Sequence, residues 1–144
     1  MERAILSRDD FDEVVKEYNL AMSDFFKGNP DPINKMFSSH DDISLAQLSG
    51  SFVRGRKLVT ETVSFNATKY REGTDTRFEL LAKYVSPELA YIVQIEQVKA
   101  KIGGSDEISS LALRVTSIFR CEEGAWKLLH RHVDNRVQGN HVVW

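Results

Sequence analysis

The stretch WKLLHRHVDN, Trp126 to Asn135, places His130, His132 and Asp134 at alternate positions. In a strand such residues project from one face, so the three side chains stand together. Two imidazoles and a carboxylate could bind a metal ion. They could also move protons, because an ordinary imidazole titrates at about pH 6.5 and a carboxylate can orient it or hold its charge. A third reading has no chemistry: His132, Arg114 and Glu96 form a hydrogen-bonded cluster that closes one end of the fold, with His130 partly solvated.

The hairpin containing these residues bears on that choice. If Glu122-Glu123-Gly124 is a three-residue connection, Cys121 pairs with Ala125, Arg120 with Trp126, Ile118 with Leu128, Thr116 with His130 and Arg114 with His132. Arg114 beside His132 repels a divalent cation, so no metal is expected. It suits the acid/base reading, in which Arg114 stabilises an enolate or binds a carboxylate or carbonyl. The register also expects a cation–π pair between Trp126 and Arg120. On this count Trp126, Leu128, His130, His132 and Asp134 share a face with Arg114, Thr116, Ile118 and Arg120; Leu113, Val115, Ser117, Phe119, Lys127, Leu129, Arg131 and Val133 take the other. Both faces carry apolar residues, which calls for helices on one side and a second subunit on the other.

The elements that position this hairpin are legible from spacing. Ser7 and Asp10 resemble a capping box, and Phe11, Val14, Val15, Tyr18, Met22, Phe25 and Phe26 recur at helical intervals until Gly28 and Asn29-Pro30 end the helix. Asp31 is read as the cap of a short second helix with Pro32 at its first position. DISLAQL reads as a strand, SGSFVRG as a loop, and residues 55–70 as a third helix despite several β-branched residues. Four long strands follow, TRFELLAKYV, LAYIVQIEQVKAKI, ISSLALRVTSIFRC and AWKLLHRHVD, joined by short turns. Helices first and an antiparallel meander after them make an α+β chain.

A length of 144 residues suits a single domain over 1–144, and 42% apolar with 28% charged residues is a globular balance. No run of about 20 apolar residues suggests a membrane span. A net charge of −2, with one short basic cluster at Arg54, Arg56 and Lys57, argues against nucleic acid as a partner. The amino-terminal MERAILSRDD lacks signal-peptide character, and a lone cysteine, Cys121, fits a reducing compartment, so a cytoplasmic location is expected. No cofactor is expected, since the chain carries neither a glycine-rich phosphate loop nor a cysteine cluster.

FFKGNPDPINKMF, SHDDISLAQL, LAYIVQIEQ and LRVTSIFRCEEGAWKLLHRHVD, in this order, resemble the NTF2-like superfamily, in particular its SnoaL-like branch of ketosteroid isomerase homologues, over about residues 7 to 135. The last stretch also resembles the end of the association domain of calcium/calmodulin-dependent kinases, an oligomerisation module. The resemblance implies a cystatin-like fold, in which a curved antiparallel sheet wraps a long amino-terminal helix to form a cone with a pocket at its open end. It also implies polar groups of the last strands facing that pocket, at positions matching Glu96, Arg114, His132 and Asp134, with Asp42 near the mouth. The catalytic aspartate of ketosteroid isomerases falls near Gln47, which cannot take a proton. Their oxyanion tyrosine falls near Ala21, with Tyr18 a turn early, so that reaction is not expected here.

The expected function is binding of a small apolar molecule carrying a carbonyl, carboxylate or hydroxyl, with its acid/base conversion, of isomerase, cyclase, dehydratase or hydrolase type, left open as an addition to binding. Tyr18, Met22, Asp42, Phe65, Trp126 and His130 would surround it, and His132, Asp134, Arg114 and Glu96 would act on it. The expected assembly is a homodimer through the outer face of the sheet. The alternative is a non-catalytic module for homo-oligomerisation or partner docking, as in the kinase association domain, with the tail GNHVVW packed on a neighbour.

Overall fold

The computed structural model describes residues 10–135; Ser7 of the expected capping box and the tail GNHVVW lie outside them. Asp10 caps helix α1 (Phe11–Phe25), its carboxylate accepting the Asp12 N–H at 3.0 Å, a cap worth about 1 kcal/mol. The expected stripe is buried, with Phe11, Val14, Tyr18, Ala21, Met22 and Phe25 on one side. Gly28 adopts φ 96 and terminates the helix as expected. Helix α2 (Asp31–Met36) begins with Asp31 itself, and the side chain of Asn29, rather than that of Asp31, accepts the first free N–H, at 3.2 Å.

Strand β1 (Ser44–Ala46) pairs antiparallel with β2 (Phe52–Arg54), so the segment read as a loop contains a short strand. Helix α3 (Arg56–Ala67) forms despite its β-branched residues. Val59, Val63 and Ala67, spaced by four, bury one stripe. Asp41 Oδ1 accepts the Arg56 N–H at 2.9 Å and so caps the helix from a separate loop.

The long strands are β3 (Tyr70–Val85), β4 (Leu89–Ile102), β5 (Ile108–Glu122) and β6 (Ala125–Asn135), in sheet order β2-β1-β6-β5-β4-β3. Only β1 and β6 run parallel. β3 starts earlier than its apolar pattern suggests because its first half is bulged. Glu72 and Asp75 take positive φ, and the register with β4 shifts on either side of Thr74. Such bulges bend a strand and increase its twist. Gly73 lies against the end of α1, where a Cβ would come within 2.3 Å of the Phe26 carbonyl. The sheet therefore curves around α1, as the family resemblance implies.

The β5–β6 hairpin differs from the expected register in two ways. Its connection is a two-residue turn, Glu123-Gly124, with φ of 50 and 88, so Cys121 pairs with Trp126 rather than Ala125. Positive φ at both central positions is the geometry that matches strand twist in a tight hairpin. Between the pairs Phe119–Leu128 and Ile118–His130, Leu129 is left over as a bulge. The true neighbours are therefore Thr116 with His132 and Arg114 with Asp134.

The bulge reverses the faces beyond it. Trp126 and Leu128 point into the core, and so do Arg131 and Val133, whereas His130, His132 and Asp134 point to the convex outer side. Trp126 packs edge-on against Phe11 at 5.3 Å. Arg120, its expected cation–π partner, ion-pairs with Asp42 and Glu122, each at 2.7 Å.

Candidate functional site

With Leu129 looped out, Arg131 lands on the concave face of the sheet, 7% exposed. A guanidinium does not shed its proton, so once buried it must be paired. Tyr18 from α1 and Glu96 from β4, both 0% exposed, do this. Arg131 Nη1 donates to the Tyr18 hydroxyl and lies 3.4 Å from Glu96 Oε2. The Tyr18 hydroxyl donates to Glu96 at 3.0 Å and accepts from Ser117 at 2.8 Å. Gln94 Nε2 joins the cluster at 3.4 Å from Glu96 Oε2 and donates to Asn19 Oδ1 at 2.9 Å. The second Glu96 oxygen, Oε1, is buried with no hydrogen-bond partner among the described residues.

Burial, helped by the nearby Glu96 charge and opposed by Arg131 and Ser117, pushes the Tyr18 hydroxyl far above its usual range and keeps it neutral. Burial alone would lower the Arg131 pKa, but Tyr18 and Glu96 together raise it, so its charge is permanent.

Arg131 lies at the inner end of a cavity of about 310 Å³. The walls are Met22, Phe25, Phe26, Ile33, Leu45, Val63, Leu113 and Val133. Gln47, Leu48, Ser49, Asn66, Lys69 and Tyr70 form the mouth, where Asn66 Nδ2 donates to Gln47 Oε1 at 2.8 Å. The volume is at the lower end of the range for small-molecule sites, and the pattern of apolar walls with a few polar groups is typical of them. No aspartate, glutamate or histidine lines it among the described residues. The arrangement can hold and polarise an oxygen at Arg131, but its lining offers no carboxylate or imidazole to take a proton.

Of the residues singled out from the sequence, Met22 lines the cavity, and Tyr18 and Glu96 lie behind it in contact with Arg131. Arg114, His132 and Asp134 do come together, but on the convex face. His132 Nε2 is 3.4 Å from Asp134 Oδ1, and Arg114 Nη2 is 3.4 Å from Asp134 Oδ2, with all three side chains about half exposed. They therefore do not face the pocket and do not join Glu96. His130 shares the convex face, with Nδ1 2.7 Å from Ser44 Oγ; partial burial, then the charge of His132, lowers its pKa below the usual 6.5. Phe65 is exposed beneath Lys69, Asp42 is held by Arg120 away from the cavity, and Trp126 belongs to the core. Among the described residues no group of three histidine, cysteine, aspartate or glutamate side chains is placed to hold a metal ion.

Arg131 is the residue that sequence reasoning missed. The signal for it was the doublet Leu128-Leu129, which breaks the alternation of β6 and is the mark of a bulge.

Comparison with known proteins agrees with this architecture. Residues 13–133 match the SnoaL-like domain. A search of curated proteins finds no match. Among solved structures, a ketosteroid isomerase-like protein from Erwinia carotovora atroseptica superposes with a TM-score of 0.73 at 12% identity, covering 95% of this chain and 98% of that one. An NTF2-like protein of unknown function in nutrient uptake from Rhodospirillum rubrum gives 0.68 at 17% identity, covering 90% and 100%. A protein of Thiobacillus denitrificans, described by its resemblance to the calcium/calmodulin-dependent protein kinase type II association domain, gives 0.66 at 12% identity, covering 90% and 98%. At these identities the shared property is the fold.

Proposed function

The chain belongs to the SnoaL-like domain family, and from that premise we propose that its cavity binds a small, mostly apolar molecule through one oxygen function received by Arg131. The observation that carries this reading is the position of Arg131, which meets the apolar walls of the cavity while bonded behind it to Tyr18 and Glu96. Those bonds come from Nη1, and Nε and Nη2 have no hydrogen-bond partner among the described residues, so their hydrogens can serve a ligand. A hydrogen bond from a charged donor contributes about 1.5–3 kcal/mol, or roughly ten- to a hundredfold in affinity. A carbonyl placed there would also be polarised, which is the electrophilic half of an enolisation.

Calorimetric titration with acetophenone and with ethylbenzene, which has the same outline without the oxygen, tests the reading. The ketone should bind at least tenfold more tightly. Replacing Arg131 and Glu96 together by leucine, which leaves no buried charge unpaired, should abolish the preference. Equal binding of the two compounds to the unaltered protein contradicts the reading.

A second reading rests on the convex face. Tyr84 and Tyr91 stack at 5.9 Å across β3 and β4, and the half-buried Val93 and Ile118 extend an apolar strip between Arg77, Glu79, Arg114 and Asp134. This face carries both signs of charge around an apolar centre, so a second copy related by a two-fold axis could satisfy it. We propose a homodimer through this surface, which is compatible with an occupied cavity.

A further inference from the structure

The cavity is charged at two places, and only one of them is balanced. At its inner end Arg131 is offset by Glu96, 3.4 Å away. At its mouth stands Lys69, which has no carboxylate within ion-pair distance among the described residues; its ammonium lies over the Phe65 ring, 4.8 Å from the centroid. The neighbouring amides of Gln47 and Asn66 bond to each other and do not neutralise it. The chamber therefore carries a surplus of one positive charge, at the solvent end.

We propose that the ligand is a small apolar monoanion that enters with its neutral oxygen toward Arg131 and leaves its carboxylate, or an equivalent anion, at Lys69. The opposite orientation is disfavoured by solvation. A carboxylate at the inner end would be stripped of water and would share one guanidinium with Glu96, so two buried anions would face one cation. At the mouth the same group keeps part of its hydration and meets an ammonium that has no carboxylate partner among the described residues. The apolar walls between the two ends take the body of the molecule.

This inference rests on the cavity being the binding site, and the test separates the two claims. The probes are 8-anilinonaphthalene-1-sulfonate and N-phenyl-1-naphthylamine, which has the same ring system without the sulfonate; both fluoresce strongly when moved from water to an apolar site. The sulfonate should bind about three- to fivefold more tightly, the size expected for a solvent-exposed ion pair. The preference should shrink as salt is raised. Lys69→Met should bring the ratio of the two affinities close to one, and because Lys69 is exposed the variant should fold. Val63→Phe, which fills the cavity from α3, should abolish binding of both probes.

If Lys69→Met leaves the ratio of the two affinities unchanged while Val63→Phe still blocks both, the anion assignment is wrong and the cavity reading stands. If neither probe responds to Val63→Phe, both fall.

Discussion

Arg131 on β6 and Glu96 on β4 reach across the intervening strand to within 3.4 Å of each other, with the hydroxyl of Tyr18 bonded to both. A buried pair of this kind contributes little beyond what an apolar pair would, yet removing one partner strands a charge. Arg131→Leu should therefore cost about 3–5 kcal/mol, measured by urea unfolding. Adding Glu96→Leu should restore most of the loss. A double variant no more stable than the single one would show that the two groups are not coupled.

Tyr18 joins helix to sheet at this cluster. Tyr18→Phe keeps the ring, which packs edge-on against Phe119 at 5.8 Å, but leaves Ser117 without its acceptor and takes one hydrogen bond each from Arg131 and Glu96. The expected loss is about 1–3 kcal/mol, and the near-ultraviolet circular dichroism of the folded state should otherwise be preserved.

Stability should fall in two steps on acidification. The His130 pKa is lowered by partial burial, then by His132, so the neutral ring stabilises the fold above its ordinary 6.5, and that contribution is lost as pH falls through the lower folded value. Asp42 is held below its usual 3.8 mainly by hydrogen bonds from Arg120. Burial raises the pKa of Glu122, but Ser38 and Arg120 outweigh it and hold the group below 4.5. Both carboxylates stabilise the fold above those ordinary values and lose their contributions below them. Thermal unfolding as a function of pH should show both steps; His130→Asn should remove the upper one and Arg120→Gln should weaken the lower.

Gly73 lies where backbone meets backbone. A Cβ there would be 2.3 Å from Phe26 O, whereas at Gly104 it would meet nothing within 4 Å. Gly73→Ala should cost about 3 kcal/mol, toward the upper end for overpacking, and Gly104→Ala less than about 0.5 kcal/mol. Equal effects in chemical denaturation would contradict a backbone-to-backbone approach of β3 to α1 at Gly73.

The convex strip yields a prediction about assembly. Tyr91→Lys places a charge at its centre, beside Tyr84 and Ile118. Sedimentation velocity should give a dimer for the unaltered chain and a monomer for the variant. A monomer in both cases removes the second reading while leaving the cavity untouched.

Much of this architecture was legible in the residues. The stripe from Phe11 to Phe25, the stop at Gly28 and the four long apolar strands are local signals, and the structure follows them. Glu96 was read as acting with Arg114, His132 and Asp134, and Tyr18 and Met22 as surrounding a ligand; in the structure Glu96 lies against Arg131 and Tyr18 instead, and Met22 lines the cavity. The site failed at one strand because strict alternation was carried through Leu129. One extra residue in β6 exchanges the faces of Arg131 and His132, and since both faces of the hairpin carry apolar side chains, burial could not correct the count. The tight turn Glu123-Gly124 changed the pairing by one further residue, so Arg114 met Asp134 rather than His132.

The most direct test of the central claim uses a probe already in the wall. Met22 lines the cavity and Met36, on α2, does not. With methyl-labelled methionine, acetophenone should shift the Met22 resonance saturably and leave that of Met36 in place, and replacing Arg131 and Glu96 together by leucine should weaken that response at least tenfold. A Met22 signal that does not move at saturating ketone, or one that moves equally well without Arg131, would contradict the account.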